Sequence, residues 1–426
     1  MTDDRDDDAE AGVASPTEPT DAPATVPLGE GTTTVDLPDC TVDVATPVGA
    51  AAVDPGRAAE RALDDPHGPA LSAVVDPGDE VTVVVTDVTR ATPDGRLLAA
   101  LAERLPVARD ALTVVVGLGL HRPLTEAELR ASLGRFADRA VNHDPERVVR
   151  VGSVDGQPVR VHEAVADADV VLSTGMVEPH QYAGFSGGAK TVVVGAGDES
   201  MIRYTHGPEM LAREGVRLGR IDDNPFRETL SRAGDLAGPA FCLNVTHGPA
   251  GILDAAAGRP RAVVADLAAT AREALSVGVD AGAYDAVVAG VGAPKDANLY
   301  QATRAATYVL LGACNPVREG GRVLVPARLP EGAGRGTGEQ RFAERLRGAD
   351  SATELYRTMR EGYEPGAQRA FVLARALRDH DVWVTNSTAP ETVEECLLNP
   401  APEVTAAVEP DSDVLVVPDA LQTLLV

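Results

Sequence analysis

Two lysines stand out in this chain because the other non-histidine basic residues are all arginine. Of the 38 Lys and Arg residues, only Lys190 and Lys295 are lysines. A lysine amine can form an amide-type bond, whereas the always-protonated guanidinium is a poor nucleophile. We therefore expect both positions to have roles that require an amine.

Two polar segments follow predicted strands in the first half of the chain. In the first, Asp87 is suited to hold a ribose hydroxyl or to orient a base, and Arg90 is suited to bind a carboxylate or phosphate. In the second, His121 follows two glycines at a strand-to-helix turn and is a candidate acid/base residue. A helix N-cap with a surface arginine, and an ordinary loop histidine, are the structural alternatives.

The segment 174–190 combines His180, several glycines and Lys190. Its end, Gly-Phe-Ser-Gly-Gly-Ala-Lys, differs from a P-loop because Ala189 stands where that motif requires glycine. The backbone N–H groups of Gly187 and Gly188 are still candidates for binding an anion, with a plain glycine-rich turn as the alternative.

Further along the chain, His206 is a candidate metal ligand through a neutral imidazole, or simply a polar surface residue. Lys295 opens a second polar segment in which Gln301 and Arg304 share one predicted helix face. The two side chains together suit a carboxylate, unless that face is only solvated. We interpret the remaining histidines as structural or solvated: His67, His143, His162, His247 and His380.

Alternating hydrophobic patterns predict the elements that position these residues. Runs of β-branched residues predict strands at 33–37, 81–86, 112–116, 169–173, 191–194, 286–289, 322–325, 382–385 and 414–417. Helical spacing predicts helices at 94–105, 125–133, 297–311 and 366–378. A Thr125–Glu128 capping box begins the second of these helices.

This alternation predicts an α/β fold of two α/β domains, each with a mostly parallel sheet. We expect a disordered acidic tail at 1–30, an N-terminal catalytic and cofactor-binding domain at 31–277, and a C-terminal domain at 278–426 that completes the substrate site. The active site is expected in the cleft between the domains. Residues 331–339 are predicted to form a flexible surface loop.

Composition excludes several classes of function. The 426-residue chain has 65 acidic residues and a net charge of −27, which disfavours nucleic acid and anionic membranes as partners. No run reaches the roughly 18 apolar residues of a membrane span, and the acidic start does not resemble a signal peptide. We therefore expect a cytoplasmic protein. The four dispersed cysteines disfavour a disulfide framework. The acidic, lysine-poor composition is typical of a salt-rich, halophilic cytoplasm, or of GC-rich codon usage.

Taken together, these segments resemble the nickel-pincer lactate racemase family. The resemblance covers residue 32 to the C-terminus and rests on motifs in the family's order: Asp87-x-x-Arg90, His121-Arg122-Pro123, His180 with Gly184–Lys190, His206, and Pro294–Gln301. It implies two α/β domains with an active site between them. It also implies a nickel-pincer nucleotide cofactor and a small 2-hydroxy acid substrate.

The resemblance also implies the roles of single residues. The position of Lys190 carries the cofactor covalently, and that of His206 supplies a nickel ligand. Those of His121 and His180 are an acid/base pair. The remaining matched positions are Arg90, Gln301 and Arg304, around the substrate, and Asp87, at the cofactor. Cofactor-synthesis and nickel-insertion proteins are expected as transient partners.

One departure from the family concerns the substrate. Arg304 stands where the lactate enzyme has lysine, which is compatible with a 2-hydroxy acid other than lactate. The resemblance assigns no role to Lys295, and we expect it to meet a second substrate carboxylate or a hydroxyl.

Two alternative functions remain at this stage. An NAD-dependent 2-hydroxy acid dehydrogenase would require a G-x-G-x-x-G turn, but Arg122 occupies the third glycine position after Gly117 and Gly119. A non-catalytic carrier of the cofactor would need neither His121 nor His180. Hydride removal from a 2-hydroxy acid requires an electrophile that side chains do not supply, so a cofactor is expected in either enzyme.

Overall fold

The computed structural model describes Ser15 and residues 23–426. Most of the predicted tail, residues 1–14 and 16–22, lies outside the described residues. The prediction that the tail reaches residue 30 was wrong at its end, because β1 (Ala24–Leu28) pairs with β2 (Gly31–Val35) in an antiparallel hairpin. Val26 and Val35 are buried, so this hairpin is part of the packed protein.

The other strands follow in chain order. They are β3 (Thr41–Val44), β4 (Val81–Thr86), β5 (Leu112–Gly117), β6 (Ala140–Asn142), β7 (Val148–Val154), β8 (Gln157–His162), β9 (Val170–Val177), β10 (Pro179–His180), β11 (Gly184–Phe185), β12 (Pro239–Gly248), β13 (Gly251–Gly258), β14 (Ser276–Val277), β15 (Tyr284–Ala289), β16 (Val317–Pro326), β17 (Asp381–Thr385), β18 (Asn399–Ala401), β19 (Asp413–Val417) and β20 (Leu424–Leu425).

The helices alternate with these strands. They are α1 (Pro55–Asp64), α2 (Asp94–Arg104), α3 (Glu126–Leu133), α4 (Glu163–Ala166), α5 (Glu199–Thr205), α6 (Pro208–Leu211), α7 (Pro225–Ala237), α8 (Pro260–Leu275), α9 (Leu299–Leu310), α10 (Thr337–Arg347), α11 (Ala352–Glu361), α12 (Gln368–Leu377) and α13 (Pro390–Glu395). Short 3₁₀ turns add Leu71–Ala73, Arg109–Ala111, Gly134–Arg139, Lys295–Ala297 and Val404–Ala407. No helix within residues 23–426 is long and apolar enough to cross a bilayer.

Two six-stranded sheets organise the chain. The first has the order β13-β12-β9-β4-β5-β6 and is parallel except for the β12–β13 pair. The second has the order β18-β17-β16-β15-β19-β3 and is parallel throughout. The continuous valine runs of β4 and β5 are buried, as expected for strands covered by helices on both faces. The predicted α/β class with mostly parallel sheets is confirmed.

Strand order also indicates where a ligand binds. From β4 the chain continues on one side to β5 and on the other to β9, and from β15 it continues to β16 and to β19. Such points, where the winding direction reverses, open a crevice beyond the carboxyl ends of the strands. In both sheets the candidate residues follow these strands.

The N-terminal region does not stay with the first sheet. Residues 31–277 were predicted as one domain, but β3 adds to the edge of the second sheet beside β19. The β1–β2 hairpin packs on the same sheet, because Val26 and Val35 share a core cluster with Val288 and Val416. The sequence pattern of a strand cannot show which sheet it joins. The boundary near residue 278 stays a prediction.

One predicted strand was wrong. Residues 191–194 were predicted as a strand from their β-branched composition, but Thr191–Gly195 forms a π-helical turn. The backbone N–H of Val193 donates to the carbonyl of Ala189 at 2.9 Å, and Val192 and Val193 are fully buried. Burial of these side chains in helical geometry therefore outweighs their β propensity. The predicted loop 331–339 is also shorter than expected, because α10 begins at Thr337.

A buried acid beneath the carboxyl edge of the first sheet makes stability depend on pH. Asp94, at the start of α2, accepts hydrogen bonds from the hydroxyls of Thr86 (2.8 Å) and Thr174 (2.5 Å). Burial raises the pKa of Asp94 to about 7, although these hydrogen bonds act to lower it. The folded protein therefore holds this proton more tightly than the unfolded chain, whose carboxyl has a pKa near 3.8.

We predict that Asp94→Asn changes the pH profile of stability. The contribution of the protonated carboxyl is fully present below about pH 4 and is lost as the pH rises through about 7. Urea unfolding should therefore show a smaller fall in unfolding free energy over this range for the variant than for the unmodified protein. Asp110→Asn, at an exposed position, is the control and should follow the unmodified protein. Parallel profiles for all three proteins would contradict the assignment.

Candidate functional site

Asp87 and His121 form a hydrogen-bonded pair at the carboxyl ends of the neighbouring strands β4 and β5. The Nδ1 of His121 lies 2.5 Å from one carboxylate oxygen of Asp87, and the other oxygen accepts hydrogen bonds from Thr89. Burial acts to raise the pKa of Asp87, but the bonds from His121 and Thr89 lower it overall. An ionised Asp87 accepts the Nδ1 proton, which leaves the lone pair of a neutral His121 on Nε2. Asp87 therefore orients the His121 imidazole, which is the geometry that its predicted role beside a base requires.

His180 lies in the short β10–β11 hairpin with the opposite arrangement. Its Nδ1 accepts the backbone N–H groups of Tyr182 (3.3 Å) and Ala183 (3.2 Å), so the proton of the neutral ring is on Nε2. Desolvation and the charge of Lys190 lower the pKa of His180 well below its ordinary value. The hairpin requires Gly184, with φ of 74°, because a Cβ there would lie 1.9 Å from a backbone carbonyl oxygen. His180 is thus held as an Nε2–H donor.

An aromatic cluster fixes the orientation of two imidazoles. The rings of His180 and Tyr182 pack edge to face with centroids 5.6 Å apart, and Tyr182 packs on His206 at the same distance. Phe226, from α7, packs on His206 at 4.9 Å. Edge-to-face pairs of this kind restrict ring rotation, so His180 and His206 are held against the same two aromatic side chains.

The predicted glycine-rich loop leads into the turn that begins at Lys190. Gly187 has φ of 79°, and a Cβ there would lie 2.6 Å from the Val177 side chain, so this position requires glycine. The Oδ1 of Asn244 accepts the Gly188 N–H at 2.8 Å, so this N–H is not free for an anion. The Nδ2 of Asn244 has no hydrogen-bond partner among the described residues and is available to a bound group.

The Lys190 amine lies close enough to His180 and His206 for its charge to affect both imidazoles. Desolvation lowers its pKa to about 7, and the charges of Arg90 and Arg227 lower it further, against the opposing charge of Asp87. Within the described part of the chain it forms no ion pair with an acid. A substantial fraction of the amine is therefore neutral, and hence nucleophilic, near pH 7.

His206 ends α5 with a lone pair available on one nitrogen. The Thr205 hydroxyl donates to the Met201 carbonyl at 2.7 Å and lies 3.0 Å from the His206 Nδ1. Because the hydroxyl has a single proton, it accepts from Nδ1–H, and the Nε2 of His206 keeps its lone pair. Burial, followed by the charge of Lys190, lowers the pKa of His206 to about 3. The ring is therefore neutral, as a metal ligand must be.

Arg90 is held by an acid that the sequence interpretation did not select. Glu178, which follows β9 directly, forms an ion pair with Arg90, and the Nε2 of His247 lies 3.3 Å from its second oxygen. His247, interpreted from sequence as structural or solvated, thus lies beside the site at the end of β12. The charge of Asp419, which follows β19 in the second sheet, acts to raise the pKa of His247. The carboxyl ends of β12 and β19 are therefore near each other.

One face of α9 closes the site from the second sheet. Asn298 caps α9 by accepting the Gln301 N–H at 3.0 Å, and the Oε1 of Gln301 lies 3.5 Å from Arg304. Arg304 donates to the Tyr308 hydroxyl at 2.9 Å, and that hydroxyl lies 3.4 Å from the Pro179 carbonyl, next to His180. Through Tyr308, the predicted pair of Gln301 and Arg304 is therefore linked to the segment that contains His180.

Lys295 lies on the same side of the cleft, in the 3₁₀ turn after β15. Desolvation lowers its pKa to about 8, and the charges of Arg304, Arg90 and Arg369 contribute in the same direction. Hydrogen bonds join Asp87 to His121 and Gln301 to Arg304. Charge interactions link Lys190 with His180, His206 and Arg90, and link Arg90 with Arg304 and Lys295. Gly187 and Gly188 directly precede this group along the chain, in the loop before Lys190.

Sequence reasoning missed several residues of this site. Thr205 directly precedes His206, and Glu178 and Tyr182 each lie two residues from His180, which is a signal that could have found them. Asn244 and Arg369 carry no comparable signal. Among the described residues, no group of three or more His, Cys, Asp or Glu side chains could hold a metal. A metal at His206 would therefore need further donor atoms from a bound group.

Comparison with known proteins identifies the family. The lactate racemase N-terminal domain matches residues 28–219, and the lactate racemase C-terminal domain matches residues 279–424. The chain belongs to the lactate racemase family. The resemblance inferred from five separate segments is thereby confirmed.

Relatives in the lactate racemase family span nearly the whole chain. The lactate racemase of Thermoanaerobacterium thermosaccharolyticum is 27% identical over 425 residues, which cover 94% of this chain and 98% of that protein. The lactate racemase of Lactiplantibacillus plantarum is 27% identical over 401 residues, which cover 86% and 90%.

Solved structures share the fold. The lactate racemase apoprotein of Thermoanaerobacterium thermosaccharolyticum gives a TM-score of 0.84 at 24% identity, and covers 95% of this chain and 100% of its own. A Thermotoga maritima protein gives a TM-score of 0.62 at 17% identity, and covers 86% of this chain and 96% of its own.

We predict that Asp87→Asn reverses the tautomer of His121. An asparagine can present its amide N–H to Nδ1, which moves the imidazole proton to Nε2 and removes the lone pair from the cleft. Ring ¹⁵N chemical shifts of neutral His121 should report Nδ1–H in the unmodified protein and Nε2–H in the variant. Thr89→Val, which keeps the bond between Asp87 and His121, should leave the shifts unchanged. An Nε2–H ring in the unmodified protein would contradict the pairing.

Proposed function

We propose that this protein is an isomerase that racemises or epimerises a 2-hydroxy acid, lactate or a related and larger carboxylate. The supporting observation is the convergence of an Asp87-oriented His121, an oppositely oriented His180, an acid-free Lys190 amine and a neutral His206 at one edge between two sheets. Membership of the lactate racemase family and the names of the relatives support the same reaction class.

The residues present fit a nickel-pincer nucleotide, the cofactor that the resemblance implied. Lys190 would hold it covalently through its amine, because no acid competes for that amine as an ammonium partner. The Nε2 of His206 would be the protein's nickel ligand. The Nδ2 of Asn244, which has no partner among the described residues, belongs to the side chain that binds Gly188 in the loop before Lys190. When bound, the group would supply the electrophilic hydride acceptor that no side chain provides.

The chain's own residues would bind and orient the substrate. Gln301 and Arg304 on one face of α9 suit its carboxylate, and Arg90 reaches the same cleft from the first sheet. A carboxylate held in this way would limit the positions that the 2-hydroxyl can take, which the proposed proton transfer to the imidazoles requires. The planar cation of Arg304 can bind both carboxylate oxygens, which fixes the direction of the C2 substituents.

Proton transfer to and from the hydroxyl would use the histidines. His121 can accept the hydroxyl proton at Nε2 while Asp87 stabilises the resulting imidazolium. His180 donates a hydrogen bond from Nε2 on the other side. Before His180 can itself accept a proton at Nε2, its Nδ1 must be released from the backbone N–H groups of Tyr182 and Ala183.

The two lysines provide a matched test of the covalent attachment. We expect intact-mass spectra of protein produced together with the cofactor-making enzymes to show an added mass and stoichiometric nickel. Lys190→Ala should lose both, because its amine is the bond-forming group. Lys295→Ala should keep the added mass. An adduct that persists in Lys190→Ala would contradict the attachment, and retention of nicotinamide nucleotide instead would favour a dehydrogenase.

Turnover separates an enzyme from a carrier. Loaded protein should convert one enantiomer of a C2-deuterated 2-hydroxy acid into the other without losing the label to solvent. The reaction is run in high salt and followed by chiral chromatography. Interconversion of no 2-hydroxy acid by protein that carries the full adduct would contradict the proposed reaction and favour a carrier.

We also predict that Thr205→Val weakens nickel retention. The Thr205 hydroxyl accepts the Nδ1 proton of His206 and so directs the Nε2 lone pair outward, and loss of such a partner typically weakens metal affinity by about 10- to 100-fold. Competition with a chelator, followed by metal analysis, measures the change in loaded protein. Thr205→Ser retains the hydroxyl and should behave like the unmodified protein. Equal nickel loss from both variants would show that the hydroxyl is unimportant.

A further inference from the structure

A single peptide group connects the His180 imidazole to a buried residue of α7. The Nδ1 of His180 accepts the Ala183 N–H at 3.2 Å, and the carbonyl of that same peptide group belongs to Tyr182. This carbonyl accepts a hydrogen bond from the Nδ2 of Asn224 at 2.8 Å. Because a peptide group is planar, the bond at its carbonyl and the bond at its N–H are held in a fixed relation. The side chain of Asn224 therefore acts on His180 through one plane.

The Asn224 amide uses all of its hydrogen-bonding capacity. Its Oδ1 accepts the backbone N–H groups of Phe226 (3.0 Å) and Arg227 (3.2 Å). Its Nδ2 donates to the carbonyls of Tyr182 and Arg220, each at 2.8 Å. Only 2% of the residue is exposed, so water does not compete for these bonds. A reversed amide would bring N–H groups against N–H groups, so the orientation of the side chain is fixed.

Capping α7 does not by itself require asparagine at this position. Serine, threonine and aspartate cap helices about as well, and Asp54, Thr125 and Ser351 cap α1, α3 and α11 of this protein with a side-chain oxygen. None of these side chains can accept two N–H groups and donate to two carbonyls at once. The amide nitrogen of Asn224 therefore has a role beyond capping, and its partners place that role at the β10–β11 hairpin.

The next residues of α7 hold the same hairpin from other directions. The Nε of Arg227 donates to the Ala183 carbonyl at 3.2 Å, and one of its amino groups donates to the carbonyls of Phe185 and Ser186. Hydrogen bonds from a cation are stronger than those between neutral groups. The Phe226 ring packs on the His180 ring with centroids 6.2 Å apart. The first turn of α7 thus restrains both the imidazole and the backbone that binds its Nδ1.

The direction of the effect follows from the polarity of the peptide group. A hydrogen bond accepted by a carbonyl polarises the peptide and makes its N–H a better donor. A better donor at Ala183 stabilises the state in which the Nδ1 of His180 carries a lone pair, so that the proton of the neutral ring is on Nε2. Without the Asn224 amide, the Tyr182 carbonyl loses this partner and the peptide group is less restrained.

We propose that Asn224 is a positioning residue for His180, which keeps the imidazole proton on Nε2 through the peptide group between Tyr182 and Ala183. Arg227 supports it by holding the other side of the hairpin. That His180 acts on a substrate hydroxyl rests on the proposed function, whereas the chain of hydrogen bonds from Asn224 to Nδ1 does not.

The test uses the full chain, labelled with ¹⁵N and ¹³C and produced without the cofactor-making enzymes. Asn224→Ser retains an oxygen that caps α7 and removes the amide donor. The Ala183 N–H should exchange with solvent about tenfold faster or more in this variant, and the fraction of neutral His180 protonated at Nδ1 should rise about tenfold. Thr229→Val is the control, because the buried Thr229 hydroxyl binds only the Pro225 carbonyl of the same helix. It should change neither quantity.

A measurement on the unmodified protein keeps the proposal falsifiable if Asn224→Ser does not fold. Scalar couplings across hydrogen bonds should join the Nδ2 of Asn224 to the carbonyl carbon of Tyr182, and the amide nitrogen of Ala183 to the Nδ1 of His180. Ring ¹⁵N shifts should report His180 as Nε2–H. Absence of either coupling, or a His180 protonated at Nδ1, would overturn the proposal.

The remaining outcomes separate this inference from the proposed function. Unchanged Ala183 exchange and an unchanged His180 tautomer in folded Asn224→Ser would overturn the positioning role. An equal change in Thr229→Val would indicate general loosening of α7 and would overturn it as well. If loaded protein interconverts no 2-hydroxy acid, the proposed reaction fails, and the spectroscopic results alone still decide whether Asn224 positions His180.

Discussion

The chemistry proposed for this site depends on the desolvation of one amine. Lys190 has a pKa lowered to about 7 because it is withdrawn from water beside arginines. An ion pair with an acid would stabilise the ammonium form and raise that pKa again. Two acids at this edge, Asp87 and Glu178, are engaged elsewhere, since Asp87 binds His121 and Glu178 binds Arg90. The interactions that orient the base and the arginine therefore also leave the amine reactive.

The charge of the cleft is opposite to that of the whole protein. A net charge of −27 would repel the proposed carboxylate substrate at long range, whereas Arg304, Arg369 and Lys295 would attract it at short range. Salt screens interactions between exposed charges beyond about 8–10 Å far more than those in a partly desolvated cleft. Salt should therefore reduce the repulsion and leave most of the attraction. This is consistent with the salt-rich setting that the composition predicts.

The sequence predicted the residues at the carboxyl edge of the first sheet because polar residues there directly follow valine-rich strands. Asp87 follows Val81–Thr86 and His121 follows Leu112–Gly117, so a parallel sheet must bring them close together. Three features could not be read in this way. Thr191–Val194 has the composition of a strand and is helical because of its packing. The strand β3 pairs with β19, near the C-terminus, through Thr41 and Asp413. Arg369 lies in a helix whose pattern shows only amphipathicity. Each depends on contacts distant in sequence, which local patterns do not encode.

The two imidazoles are not equivalent, although a racemase must act on two mirror-image substrates. Asp87 holds the proton of His121 on Nδ1, whereas the N–H groups of Tyr182 and Ala183 place that of His180 on Nε2. Under the proposed reaction, one enantiomer meets a ready base and the other meets a hydrogen-bond donor. For His180 to act as a base on the second enantiomer, the backbone at residues 182–183 would have to move, because the His180 ring is fixed by Phe226 and Tyr182. Under the proposed reaction, the hairpin between Pro179 and Phe185 is therefore the element whose movement would let His180 accept a proton at Nε2.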